Sequence, residues 1–375
     1  MSTPSSQLTI EPFVFEDHSK LSVLHKQFYS VDRDETFWKW KYQDRPLPKY
    51  AIAVAKDSSG NIVGQTGAIA YACSIKGKSK YAGQAQDIVV LDEYRGGRSF
   101  FKLERLARDL LIESGGDISY GFSIEITRKV ATKALGFTDI GLIPKMVQVY
   151  NPAPYLAHKI KIPGVANFIG ALVRPILTLK NKRAPKADLG SEIKIEEVNS
   201  FDERFDELWN SEKDKYPLIM NRDAAYLNWR YTNNPAHQHF KAFAAVKGGI
   251  LLGYIIVELK KGFRTFSTLN VQVNAAMRGE ILDYLVREEE GIPSDKILER
   301  LTREAQDYLI KQKVEIISAW CLPHMKLFKL LNDIGYKERP TPHHLIVRKH
   351  SEDPDLETVF DLSCWYLTHG DKDHF

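Results

Sequence analysis

Cysteine is scarce in this chain of 375 residues. It occurs at Cys73, Cys321 and Cys364, far apart and without CxxC spacing. That excludes a disulfide framework and a cysteine zinc site, and it fits a reducing, cytoplasmic compartment. No apolar run reaches the roughly eighteen residues that a membrane-spanning helix needs. Met1 to Gln7 hold neither a basic nor an apolar region, so a secretory leader is not expected. Net charge is small: 52 basic residues nearly balance 48 acidic ones, for +4, which leaves no electrostatic case for DNA. His369, Asp371, Asp373 and His374 match no standard ligand spacing, so no metal is expected.

One stretch lacks acidic residues altogether, from Ile140 to Ala187. Within it, 155–183 combines Lys159, Lys161, Arg174, Lys180, Lys182 and Arg183 with the mostly apolar segment Gly164–Leu179. Two readings stand: a basic helical connector packed between two halves, or an interfacial segment making peripheral contact with an acidic membrane. What the chain does have is apolar content of 43% and aromatics of 11%, ample for packed cores, and a length that suits two domains.

The most informative stretch is Asp87–Leu111. An apolar strand, Ile88-Val89-Val90-Leu91, runs into the turn Asp92-Glu93-Tyr94-Arg95-Gly96-Gly97-Arg98. Phe100, Leu103, Leu106, Ala107, Leu110 and Leu111 then recur at helical steps. Such a strand, turn and helix can cradle an anion. Glycines let the backbone approach a ligand, first-turn N–H groups point outward, and arginine forks suit phosphate. Tyr94-Arg95-Gly96-Gly97 resembles the acyl-CoA loop of the GNAT superfamily of N-acyltransferases, with Arg98 where that family usually has glycine. The resemblance implies acetyl-CoA or another acyl-CoA as cosubstrate. It implies contacts from Ile88, Val89 and Val90 on the strand, from Arg95, Gly96, Gly97, Arg98, Ser99 and Phe100 on the loop, and from Ser123 on a following loop.

The rest of the first half reads in the same family order. Strands are expected at 8–15, 50–55, 62–71, 72–75, 84–91, 117–123 and 141–150, and helices at 18–30, 99–111 and 126–135. Leu135-Gly136-Phe137 closes the last helix. The second half repeats the first. Phe37–Pro46 aligns without gaps to Tyr226–Pro235, Gly60 falls on Gly249, and Leu135-Gly136-Phe137 falls on Ile334-Gly335-Tyr336. Where the second half should have its cradle it has Arg287-Glu288-Glu289-Glu290-Gly291, whose glutamates would repel a pyrophosphate, and Ser294 reads as the N-cap of the next helix. The fold class is therefore α/β with two GNAT-like domains in tandem, each a mixed, mostly antiparallel sheet flanked by helices. The expected divisions are 1–150 with the acyl-CoA loop, a linker at 151–190, 191–350 with a degenerate loop, and a tail at 351–375. Tyr226–Pro235 and the tail Trp365–Asp373 resemble a group of tandem GNAT proteins.

Acyl transfer to an amine needs a base, an oxyanion donor and, for the leaving thiolate, an acid. Asp87 is the acidic residue nearest the cradle strand and the candidate base, with Gln84 and Gln86 as polar neighbours. The resemblance places backbone N–H groups of Ile88–Val90 as oxyanion donors. Its customary acid, a tyrosine, falls on Thr132, and Tyr120 on the neighbouring strand is a substitute. Some two-domain members bring C-terminal groups to the site, which by analogy points to His369 or Asp371. The leading function is an acyl-CoA-dependent N-acyltransferase acting on an amine of a small molecule or sugar. The alternatives are a degenerate GNAT-fold binding protein and an aminoacyl-tRNA-dependent transferase. The sequence leaves the oligomeric state open.

Overall fold

The computed structural model describes residues 8–95, 98–153, 156, 164–182, 190, 192–266, 271–289 and 291–372. Its strands in chain order are β1 Thr9–Pro12, β2 Tyr50–Lys56, β3 Ile62–Ile75, β4 Lys78–Val90, β5 Ile118–Ser123, β6 Thr138–Leu142, β7 Lys145–Val149 and β8 Ile193–Val198. They continue with β9 Leu218–Met220, β10 Phe240–Lys247, β11 Ile250–Phe266, β12 Val271–Val286, β13 Ile316–Trp320, β14 Lys337–Arg339, β15 His344–Lys349 and β16 Trp365–Tyr366. Two mixed sheets result, each flanked by helices. The first runs β1-β2-β3-β4-β5-β15-β6, with β9 and β16 attached beside β3; the second runs β14-β7-β13-β12-β11-β10-β8.

The helices of the first lobe are α1 (His18–Tyr29), α2 (Glu35–Tyr42), α3 (Ser99–Glu113) and α4 (Glu125–Ala134). The α3 periodicity buries Leu103, Ala107 and Leu111, with Leu106 and Leu110 partly covered, against the sheet. The hairpin between β2 and β3 turns at Asp57–Asn61. The Asp57 carboxylate accepts from Ser59 N and Asn61 N, and Gly60 supplies the positive φ of 79°.

The expected final strand at 141–150 is two strands, because Pro144 has no N–H to give and lies where the chain leaves one sheet for the other. β6 stays at the edge of the first sheet, while β7 pairs with β13 and β14 of the second. In return, β15 inserts between β5 and β6. Each sheet therefore holds a strand from the far half of the chain, and neither 150 nor 350 is a sheet boundary. The Ser294 N-cap is also corrected. Pro293 holds the N-cap position without a side-chain cap, and Ser294 is the first residue of the helix Ser294–Lys311.

The aromatic stretch 37–42 is α2, capped by Asp34, whose carboxylate accepts from Phe37 N at 2.9 Å. Its Trp40 meets Trp229, the residue 189 positions on. The rings stack at 5.2 Å, and each indole N–H donates to the other's backbone carbonyl, at 2.7 and 2.8 Å. A reciprocal contact between matched residues is what a local two-fold relation produces.

The acid-free stretch contains the helix Val165–Lys182, with Pro175 inside it. Phe168, Leu172 and Ile176, four residues apart, are 65%, 57% and 64% exposed. Among the described residues no helix is long and apolar enough to cross a membrane.

Candidate active site

β4 pairs in parallel with β5 only through Ala82–Gln84, opposite Ile118–Tyr120. Past Gln84 the two strands part. A bulge between Gln86 and Val89 shifts the register against β3, with Asp87 at φ 52°. Among the described residues no strand pairs with the outer edge of β4 from Ala85 to Val90, so its ladder groups face a gap. A cavity of about 270 Å³ lies there, lined by Phe28 of α1, Ile88, Val89 and Val90 of β4, Tyr94 and Arg95 of the turn, and Phe100 of α3. Of the residues expected at the cradle, the structure brings Ile88, Val89, Val90, Arg95 and Phe100 together around this cavity.

The anion end of the cradle is equally specific. Arg98 occupies the N-cap position of α3 and makes no side-chain cap, and the first turn has no acidic residue. The leading N–H groups are left to solvent or a ligand, with the positive end of the helix dipole behind them. Arg98 is exposed. Arg95 is tied down: its Nε donates to Val90 O at 2.9 Å, its Nη1 lies 2.6 Å from Asp92, and its guanidinium lies over Phe28 at 5.6 Å. Ser99 is the first residue of α3. Gly96 and Gly97 lie outside the described residues.

Asp87 is placed differently from its expected role. Its side chain is 7% exposed, 2.6 Å from Lys41 Nζ and 3.5 Å from Arg33 Nη1. Burial pushes the carboxyl up, but Lys41, His25 and Arg33 outweigh it and hold the group well below the usual carboxylate range. A carboxylate held this firmly ionised is a poor proton acceptor at neutral pH. Asp87 instead pins the strained bulge to α1 and α2. Arg33 Nη1 also lies 2.6 Å from His25 Nδ1, and His25 Nε2 lies 2.7 Å from Gln65 Oε1.

Thr132 does not reach the cradle. Its hydroxyl donates to Arg128 O one turn back in α4, at 2.9 Å, and α4 packs against β15 and β6. Tyr120 stands at the point where β4 and β5 separate. It is buried against Phe122 and Trp365, and burial raises its phenol well above the usual value. Ser123 sits at the end of β5, with its hydroxyl 2.7 Å from Thr127 Oγ1 and so engaged in starting α4.

Gln84 and Gln86 share the face of β4 that looks into the molecule. Gln84 Nε2 donates to the backbone carbonyl of Asp371. Gln84 Oε1 and both polar atoms of Gln86 are buried without a hydrogen-bond partner among the described residues. The tail therefore lies against β4 through the Asp371 carbonyl. Its Asp371 carboxylate, however, is occupied by Arg222 Nη2 and Thr368 N, each at 2.8 Å. Arg230 donates to the carbonyls of Gly370 and Lys372.

A second cavity, of about 280 Å³, opens at the second sheet beside the tail, lined in part by Lys145, Lys260, Arg278, Glu280, Trp320 and Lys372. Sequence reasoning missed it as a site. Its residues come from β7, β11, β12, β13, the segment 340–343 and the tail, and only His369 had been singled out.

This geometry can be set beside known proteins. No protein-family model matches the chain, and no curated relative matches it. Solved structures do. One of Saccharomyces cerevisiae N-myristoyltransferase with bound myristoyl-CoA is 12% identical, covers 94% of this chain and 81% of its own, and has a TM-score of 0.59. A second structure of that yeast enzyme with myristoyl-CoA is 10% identical over 92% of this chain and 83% of its own, with a TM-score of 0.60. A third, with inhibitors also bound, is 10% identical over 92% and 80%, with a TM-score of 0.58. Two mixed sheets with a splayed strand pair, matched over nearly the whole chain, define the two-lobed GNAT fold.

Proposed function

We propose that the chain is an acyl-CoA-dependent N-acyltransferase, with acetyl-CoA as donor and the amine of a sugar or other small molecule as acceptor. The observation that carries this reading is the unpaired edge of β4 leading into the uncapped start of α3. On it, the pyrophosphate rests on the first turn of α3 with Arg98, and pantetheine pairs with the β4 edge as a strand would. The amine nitrogen attacks the thioester carbonyl beside Ile88–Val90, whose N–H groups stabilise the oxyanion. The new C–N bond forms, the C–S bond breaks, and the proton that the amine nitrogen loses ends on the departing thiolate, which leaves as coenzyme A. Yeast enzymes of the same fold bind myristoyl-CoA, which supports an acyl-CoA donor. A short acyl group suits the buried Tyr120 and Trp365, which fill the interior where β4 and β5 part.

Thermal shift with acetyl-CoA, coenzyme A and desulfo-CoA tests this. A ligand at a hundredfold excess over Kd should stabilise the fold by about 2.7 kcal/mol. The gain should vanish in the variant carrying Arg95→Ala and Arg98→Ala. No shift with any of the three would overturn the reading.

The exposed stripe Phe168, Leu172 and Ile176 supports a further contact, with an acidic lipid surface, since the sequence around it from Ile140 to Ala187 has cations and no acids. Co-sedimentation with phosphatidylserine vesicles should fall when all three become serine. Unchanged co-sedimentation would remove this contact from the account.

A further inference from the structure

The cavity at the second sheet is built from groups that the donor site leaves unused. Lys145, Lys260, Arg278 and Lys372 line it, against one lining carboxylate, Glu280. Glu280 is 3% exposed, with Lys145 at 3.5 Å and Arg278 at 3.9 Å. Burial alone would raise its carboxyl. The neighbouring cations overcome this and keep it ionised, so it anchors Lys145 and Arg278 rather than accepting protons. Glu258 does the same for Lys260 from behind, at 2.9 Å.

The histidines of the wall add donors without adding charge. His343 is held neutral near pH 7, its pKa pushed down to about 4 by burial and by Lys372 and Lys145. Its Nε2 lies 3.1 Å from the Lys372 ammonium and accepts from it, which leaves the proton on Nδ1. Nδ1 of His343 and Nε of Arg278 are buried donors with no hydrogen-bond partner among the described residues. A recess rich in N–H donors and ammonium groups, with a single carboxylate among its lining residues, has the chemistry of an anion site.

Its place in the fold links it to the splayed strands. Trp320 in its wall touches Phe122 of β5 at 5.4 Å, on the strand that borders the gap. Lys372 follows Asp371, whose carbonyl is held by Gln84 of β4. The recess is thus tied to both strands of the splayed pair, to β5 through Trp320 and to β4 through the tail.

We infer that this cavity is the acceptor site, and that the acceptor is a primary amine carrying a phosphate or carboxylate group that Lys145, Lys260 and Arg278 hold. The word acceptor rests on the acyl-transfer reading; the anion site does not, and the test separates the two. Inorganic phosphate and, separately, malonate are titrated calorimetrically into the full chain saturated with coenzyme A, so that the cradle is occupied. Two charge-assisted contacts should give a Kd of about 1 mM. Lys260→Gln should weaken binding about tenfold. Glu280→Gln, which removes the lining carboxylate, should tighten it, an effect of the opposite sign that a loss of folding would not mimic. Tighter phosphate binding assigns a phosphate ester, and tighter malonate binding a carboxylate. If neither anion binds, or if both variants bind as the wild type does, the anion site is wrong even where coenzyme A binds. If coenzyme A fails to bind while the anion titrations behave as stated, the donor reading falls and the anion site stands.

Discussion

β4 and β12 are the same device put to different uses. Each leaves an antiparallel hairpin, carries a bulge, and pairs in parallel with the following strand over a few residues, Ala82–Gln84 in one and Arg278–Ile281 in the other. Each then parts from that neighbour. In the first lobe the gap borders a cavity. In the second the chain lays its own tail there, and a cavity of about 240 Å³ remains between Tyr284 and Val286 of β12, Lys326 and the tail's Cys364, Trp365 and Tyr366. Tyr366 Oη donates to Tyr284 O, Thr368 Oγ1 lies 3.3 Å from Asp283, and Thr368 bridges to Cys321. The turns differ in the same sense. Arg95 lines the first gap and Arg98 is exposed at the start of α3, whereas Glu288 and Asp295 in the second both lie 3.6 Å from Lys326. The strand geometry recurs with or without a ligand site; a cavity that the tail does not line and arginines in the turn are what set the first lobe apart.

The comparison also reassigns the bulge acids. Arg33 holds Asp87 in the first lobe, and Arg222, at the same spacing of 189 that relates the stacked tryptophans, holds Asp283 at 2.9 Å in the second. A pair present in the lobe whose groove the tail lines is a fold anchor, which is why Asp87 is a poor choice of base.

The ways to break this contrast can be ranked. Arg222→Met removes the cation that Asp283 and Asp371 share in a dry interior and should cost about 3–5 kcal/mol, read by urea denaturation. A loss below 1 kcal/mol would mean the tail is not held by this network. Asp87→Asn should cost about 3 kcal/mol through the stranded Lys41 and Arg33. An Asp87→Asn protein of full stability but no turnover would restore Asp87 as the base.

A smaller effect is set by pH. His343 and His350 are half-buried, and that burial is the first cause of pKa values near 4 in both, with Lys372 and Lys145 acting on one and Arg348 and Arg108 on the other. Their folded values lie below the unfolded one of about 6.5, so the unfolded chain binds more protons in between. Stability should hold above about pH 6.5 and fall as pH drops toward 4. His343→Gln and His350→Gln together should flatten that slope, and an unchanged slope would place the titration elsewhere. The smallest change is Trp40→Phe, which keeps a ring against Trp229 but loses one indole bond, for about 1 kcal/mol.

Much of this was legible along the chain because it is local. The α3 periodicity, the Asp57–Asn61 turn and the cradle loop are each written within a few turns of sequence. The match of Trp40 to Trp229 was visible as a pattern, but their stacking was not. What could not be read involves partners chosen at long range. β15 enters the first sheet beside β5, and nothing near His344 says so; only Pro144 marks where β7 departs. The basic cavity draws on residues from Lys145 to Lys372, and the tail's role depends on a gap that only the folded second sheet creates.

The most direct test of the contrast between the two grooves is the stoichiometry of coenzyme A binding by titration calorimetry. One site per chain is expected, abolished by Arg95→Ala with Arg98→Ala and untouched by Lys326→Ala in the second lobe. Two sites, or a single site lost with Lys326→Ala and kept without Arg95 and Arg98, would contradict the account.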